Sequence, residues 1–396
     1  MHIKSMTSRQ RMETALSCQA PDYVPCSFML YNALKSRSRD YFDFIQNQIA
    51  LGLDTYVQIP VRPPIVVNDY FNLHGLPVSH HPAVKIKEWV SYPEDEEYPV
   101  LIKEYLTPAG KLSAEIRKTP DWRWGNHVPF LDDFITPRSR KFLINEPEDL
   151  DAFRFLLADL SPDEIEAFQK EAIMAKTYVD EKKLLVAGGW GVGADLIGWV
   201  HGLENMMFTS YDHPAFLSEM LDIIARWNRK RMEVILDAGI HLFIKRAWYE
   251  NCDFWSPKAW RQFIYPILKA DVECAHDYHA KFGYLITSNS MPLLDMFAEI
   301  GVDCLIGVDP ARWDIKMTKE KLGGKVCLWG GVNGYNTIEL GRPDQVRAET
   351  QEAMRLFNPP EGYILSPVDN IREDTSVSQQ NVAIMIDEWL KLRNKL

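Results

Sequence analysis

Short apolar runs separated by amphipathic stretches constrain what this chain can fold into more than any other feature. Eight such runs are readable: VPCSFML (24–30), TYVQIP (55–60), LLVAGGW (184–190), HLFIKRAW (241–248), GYLITSN (283–289), CLIGVD (304–309), VCLWGGVN (326–333) and YILSPVD (363–369). Strands buried on both faces must be apolar almost throughout, and parallel strands covered by helices are of this kind. The intervening stretches carry helix punctuation. Ser161 with Glu164 forms a capping box around Pro162. A helix from about Pro214 should close at Ala238-Gly239, and Ser256-Pro257 opens another that should kink at Pro266. Strict strand–helix alternation from Leu184 onwards predicts an α/β chain, a single (β/α)8 TIM barrel over residues 1–396.

One stretch breaks the alternation. Residues 61–181 are too many for a single crossover and read as a long insertion after the second strand. Within it, VLIKEYLTPAGKLSAEIRK (100–118) alternates apolar and polar residues around a Thr-Pro-Ala-Gly turn, the pattern of a β-hairpin. An insertion leaving the C-terminal end of a barrel strand is expected either as a lid over the barrel mouth or as surface decoration.

Acidic residues outnumber basic ones 55 to 44, and no Lys/Arg block offsets the formal charge of −11. Nucleic-acid binding is therefore not expected. No run approaches the roughly 18 apolar residues of a membrane span, and no secretory leader is readable, so a cytoplasmic protein is expected. The six cysteines (Cys18, Cys26, Cys252, Cys274, Cys304, Cys327) form no CxxC and read as reduced, mostly buried thiols. GGWGVG (188–193) lacks the Lys-Ser/Thr of a phosphate loop and reads as a strand end with a tight turn.

In a parallel barrel, polar residues at the C-terminal strand ends converge on one mouth. Here these are Glu250, Asn251 and Asp253 after the fourth strand, Asn289, Asp309, Asn333, and Asp369 with Asn370. Two or three carboxylates there can ligate a hard cation or zinc, or act as general acid and base; the alternative is that some only cap the next helix. Glu250, Asp309, Asn333 and Asp369 are the candidate catalytic set. Trp190, Trp248, Tyr249, Phe254 and Tyr335 lie at or just past strand ends, with Trp122 and Trp124 in the insertion. They serve core packing or a flat apolar substrate, and Trp190, Arg246, Trp248, Asn289 and Tyr335 are the candidate binding residues. Lys245 and Arg246 are adjacent, so one points into the barrel and one toward the helices; the inner cation meets a carboxylate such as Asp309, Glu250 or Asp369, or a substrate carboxylate. His276 and His279 read as surface residues.

The helix SPKAWRQFIYPILK, the tail GYILSPVDNIREDT, the opening TSRQRMETAL…APDYVPCSF and the strand LWGGVNG resemble the uroporphyrinogen decarboxylase superfamily. Within it the chain is more similar to the methyltransferase branch that serves corrinoid proteins. The resemblance spans the chain, and it implies a (β/α)8 barrel.

Departures from the family pattern refine the expectation. The decarboxylases carry an Arg-rich segment after the first strand, where this chain has MLYNALKSRSRDY (29–41), and a key Asp in the second, where it reads TYVQIP. The zinc-dependent methyltransferases use His-x-Cys at the end of the fifth strand and a late Cys after the eighth. The corresponding stretches here, 285–289 and 366–369, contain neither His nor Cys. A thiol-activating zinc site of that type is not expected. The resemblance thus implies an O-demethylase-like methyltransferase: a methyl group leaves a small methylated substrate, such as a methoxylated aromatic, for the corrinoid of a separate protein. It is compatible with a homodimer. Alternatives are a non-catalytic or regulatory barrel that binds a small ligand, or a decarboxylase of the uroporphyrinogen type.

Overall fold

The computed structural model describes residues 5–61, 66–67, 70–71, 76–131, 138–189 and 192–394. Its strands, in chain order, are β1 (Tyr56–Ile59), β2 (Val66–Val67), β3 (Tyr70–Phe71), β4 (Lys85–Ser91), β5 (Val100–Thr107), β6 (Gly110–Arg117) and β7 (Ser139–Lys141). They continue as β8 (Leu185–Gly189), β9 (Leu242–Arg246), β10 (Lys281–Leu285), β11 (Cys304–Val308), β12 (Cys327–Asn333) and β13 (Tyr363–Val368). The chain divides into two compact units: Met1–Arg62, Glu171–Trp190 and Ile235–Leu396 form one, Pro63–Lys170 and Gly191–Val234 the other. The second thus takes in most of the expected insertion and also residues 191–234, which the sequence pattern assigns to the barrel. Among the described residues no helix is long and apolar enough to cross a membrane.

The first unit is an α/β fold built on a curled seven-stranded sheet, in the order β1-β8-β9-β10-β11-β12-β13, with every neighbouring pair parallel. All seven strands fall on expected runs, with β10 starting two residues earlier and ending four residues sooner than expected; β8, β9, β11 and β13 are buried at every position, which a continuous apolar run is suited to. Alternate residues share a face. Tyr56, Leu185, Ala187, Leu242, Ile244, Leu285, Ile306, Trp329 and Ile364 pack together on the inner face. The outer face meets helices, as where Tyr284 packs edge-on against Phe297 of the helix Leu294–Ile300.

The eighth expected strand, 24–30, does not form a continuous ladder. Cys26 and Leu30 make isolated parallel bridges to Leu365 and Asn370. Ser27 N–H donates to the Leu365 carbonyl at 3.0 Å, and Leu365 N–H to that of Pro25 at 2.9 Å. Pro25 has no N–H of its own to give, which interrupts the ladder. On its other side, Asp54 N–H donates to Cys26 O at 2.8 Å.

Close backbone approach marks the strand ends. Gly189 has φ +115° and a Cβ there would strike the Ile244 carbonyl oxygen, so only glycine lets β8 and β9 run this near each other. Helix punctuation is as the sequence suggests. Ser161 and Glu164 cap one another at 2.7 and 3.2 Å, Gly239 takes φ +69° after the helix Pro214–Leu236, and the Pro266 region breaks into Pro257–Phe263 and Tyr265–Asp277.

The second unit contains the antiparallel sheet β4-β5-β6-β7 and the two-stranded β2-β3. The expected hairpin is β5–β6, closing between Thr107 and Gly110. Trp122 is buried with Leu101, Ile116 and Val128, and Trp124 packs against this cluster. Packing therefore accounts for both insertion tryptophans.

Candidate active site

The polar strand-end residues of the first unit gather at one edge of the parallel sheet, since β9 to β13 all run the same way, with one register shift between Ile306 and Val308 of β11. Their side chains do not all turn the same way.

At the end of β9, alternation separates the two cations. Lys245 is paired across the ladder with Tyr284 and reaches the helix layer, where its Nζ lies 2.9 Å from Asp271 Oδ2, both groups buried. That carboxylate belongs to the helix Tyr265–Asp277, one layer out from the sheet. Arg246 continues the row of Leu242 and Ile244 on the inner face, and its guanidinium lies 5.0 Å from the centre of the Trp248 ring. Trp248 packs against the inner cluster.

Glu250 is turned outward. It is 1% exposed, its carboxylate accepts from the Tyr284 hydroxyl, and its carbonyl accepts from Trp260 Nε1 at 2.7 Å. Tyr284 belongs to the outer face, so this hydrogen bond ties the carboxylate of the candidate catalytic Glu250 to the side of the sheet that meets the helices. Asn251 is likewise structural: its side chain ties Trp248 O and Asp253 N–H in the turn that follows β9. Tyr249 and Phe254 pack edge-on, 5.3 Å apart.

Asp309 and Asn333 are brought together. Asn333 Nδ2 donates to Asp309 Oδ2 at 3.0 Å, and Ala311 N–H to Asp309 Oδ1 at 2.9 Å. Asn333 Oδ1 in turn accepts from Asn336 N–H at 2.7 Å. Behind them stands a residue the sequence did not single out, Glu349 of the helix Pro343–Leu356. It accepts from Asn333 N–H at 2.5 Å and from the Thr337 hydroxyl. Burial pushes its carboxyl above the ordinary range; the hydrogen bonds from Thr337 and Asn333 pull it down, and the nearby charge of Asp309 adds to the rise. A charged residue on an amphipathic helix looks like a solvated face, so sequence offers no signal for it.

Asp369 is exposed and adopts φ +70°, a left-handed conformation uncommon outside glycine, with its N–H directed at Met29 Sδ 3.2 Å away. Ser288 shares that conformation at φ +64° beside Asn289, whose side chain is exposed. Tyr335 is half exposed, with the Arg372 guanidinium 4.9 Å above its ring. Asn370 Oδ1 accepts from Asn32 N–H at 3.2 Å. Trp190 lies outside the described residues. Away from this edge, His276 is exposed, as expected, and its Nε2 lies 2.7 Å from Asp303.

No three His, Cys, Asp or Glu side chains among the described residues come together as metal ligands. Burial pushes the Cys18 thiol up to about 12 and that of Cys252 to about 11, so both are protonated at neutral pH.

A parallel sheet with its polar side chains gathered at the strand C-terminal ends defines an α/β class whose chemistry is carried on loops. The family model for uroporphyrinogen decarboxylase (URO-D) matches residues 124–390, two-thirds of the sequence, and the chain belongs to that family. Among solved structures it is similar to a methyltransferase from Methanosarcina mazei, with 17% identity, 98% of this chain and 99% of that one covered, and a TM-score of 0.64. A 3-keto-D-glucoside 4-epimerase from E. coli matches over 64% of this chain and 96% of its own, at 10% identity and a TM-score of 0.37. No curated protein sequence matches.

Proposed function

We propose that this protein is a methyltransferase that takes a methyl group from a small methoxylated aromatic compound and passes it to a corrinoid protein. Family membership together with the end-to-end fold likeness to a protein described as a methyltransferase carries this reading. The arrangement of side chains supports it. Trp248 offers a flat apolar surface and Arg246 a cation on the same inner face. As the methyl group leaves, its oxygen gains negative charge, and a fixed guanidinium in a partly desolvated site stabilises that charge. Asp309 and Asn333, held by each other and by Ala311, accept from and donate to the ring substituents. A corrinoid on the partner protein supplies the nucleophile that receives the methyl group.

The proposal includes a closed (β/α)8 barrel, with 24–30 as its eighth stave. The hydrogen bonds of this segment to Leu365 on one side and Asp54 on the other support closure. Closure would bring the two edges of the site around one mouth.

The test is to supply methoxylated aromatics with a reduced corrinoid protein and follow release of the phenol. Phenol should form only when the acceptor is present, and Asp309→Ala should slow it about a hundredfold, a barrier rise near 2.7 kcal/mol. No phenol from any member of the panel, or carbon dioxide released from uroporphyrinogen instead, refutes the reading. A rate for Asp309→Ala within about threefold of wild type removes that residue from the site.

A further inference from the structure

Strand β1 carries one polar residue on the inner face. Gln58 lies two positions beyond Tyr56, which belongs to the inner cluster, so alternation turns its side chain to the same face, toward the C-terminal end of the strand. Its backbone N–H is used, donating to the Tyr41 hydroxyl at 2.8 Å. Its side-chain Nε2 is buried and has no hydrogen-bond partner among the described residues. In the neighbouring segment the hydroxyl of Ser27, a residue with 0% exposure, is also buried without one. That segment packs against β1 and β12: Trp329 Nε1 donates to Ser27 O at 2.7 Å, the Tyr56 ring stands edge-on 5.6 Å from Trp329, and the Tyr56 hydroxyl donates to Met29 O at 2.9 Å.

A buried donor without an acceptor costs about 1–3 kcal/mol, so such groups persist where something else satisfies them. Another strongly polar group on this inner face is Arg246, two strands away on β9 and beside Trp248. An amide donor and a guanidinium on one face, with an indole ring alongside, suit a planar ring that carries a carboxylate. We propose that Gln58 is a substrate-binding residue whose Nε2 donates to the carboxylate of an aromatic acid, with Arg246 the second anchor. This rests on the methyl-transfer reading and narrows it: the substrate is a methoxylated aromatic acid rather than a neutral aryl ether.

Calorimetric titration with 4-methoxybenzoate and with methoxybenzene, which lacks the carboxylate, tests it. Wild type should bind the acid. Gln58→Leu should weaken that binding about tenfold, the loss of one charge-assisted hydrogen bond. Gln58→Glu, of the same shape but opposite tendency, should weaken it further, and thermal melts report whether either variant stays folded. Affinity for methoxybenzene should change less than about twofold. No binding of the acid by wild type, an unchanged affinity in both variants, or equal weakening for both ligands overturns the proposal. Gln58-dependent binding of an acid that is never demethylated would leave this site standing and sink the methyl-transfer reading. Demethylation with unaltered affinity in the variants would do the reverse.

Discussion

The carboxylates of Asp309 and Glu349 belong to one hydrogen-bonded network through Asn333, yet they arise from different kinds of position. Asp309 ends a strand, and strand ends are where a parallel sheet gathers its chemistry, so its place was readable from an apolar run followed by an acid. Glu349 sits on a helix whose charged residues all look alike in sequence, and only folding shows which of them is buried. Its carboxyl titrates above the unfolded value because burial penalises the charge. The unfolded chain therefore releases this proton first, and the group's contribution to stability falls as pH rises from the ordinary glutamate value through the raised one. Glu349→Gln removes that titration. Its stability relative to wild type should climb as pH rises through and above the ordinary glutamate value. Denaturant unfolding across that range measures it, and a flat difference would show that the carboxyl is not raised. The Lys245–Arg246 pair gives a complementary lesson. Alternation alone settles that they face opposite ways, but which one faces inward depends on register with Tyr284 and on the Asp271 carboxylate one layer out.

Among elements, those whose residues are apolar throughout were legible nearly to their ends, because burial on both faces leaves one residue class available. Those that depend on context were not. Strand β4 reads KIKEWVS and is largely exposed, so it has no apolar signature; it exists because β5 offers it a partner. The run 24–30 has the apolar signature but bridges rather than a ladder, since Pro25 withholds a donor. Close strand contact is the element-level property most open to a direct test. Gly189→Ala should cost about 2 kcal/mol or more, because the added Cβ meets the Ile244 backbone rather than a side chain that can swing away. Thermal or denaturant unfolding checks this; a loss under about 0.5 kcal/mol would mean that β8 and β9 separate easily.

Over the whole molecule, protection from solvent should follow the difference between the two sheets. Amides in β9 and β11, buried on both sides, should be among the slowest to exchange with deuterium, and those of β4 among the fastest of any strand. Comparable protection in β4 and β9 would contradict the burial described. The family was legible from motifs spread along the chain, whereas the division into two units was not, because residues 191–234 continue the strand–helix rhythm while packing with 63–170. The connectivity has one further outcome, in the time domain. Val24 O receives a hydrogen bond from Trp389 Nε1 at 2.8 Å, across 365 positions, and Cys26 bridges Leu365. A ribosome adding roughly 5–20 residues per second needs on the order of 20–70 s to make that length of chain. Throughout that interval the nascent segment around Cys26 has been synthesised but its neighbour has not, so this part of the sheet is completed only after synthesis has passed Leu365 and Trp389.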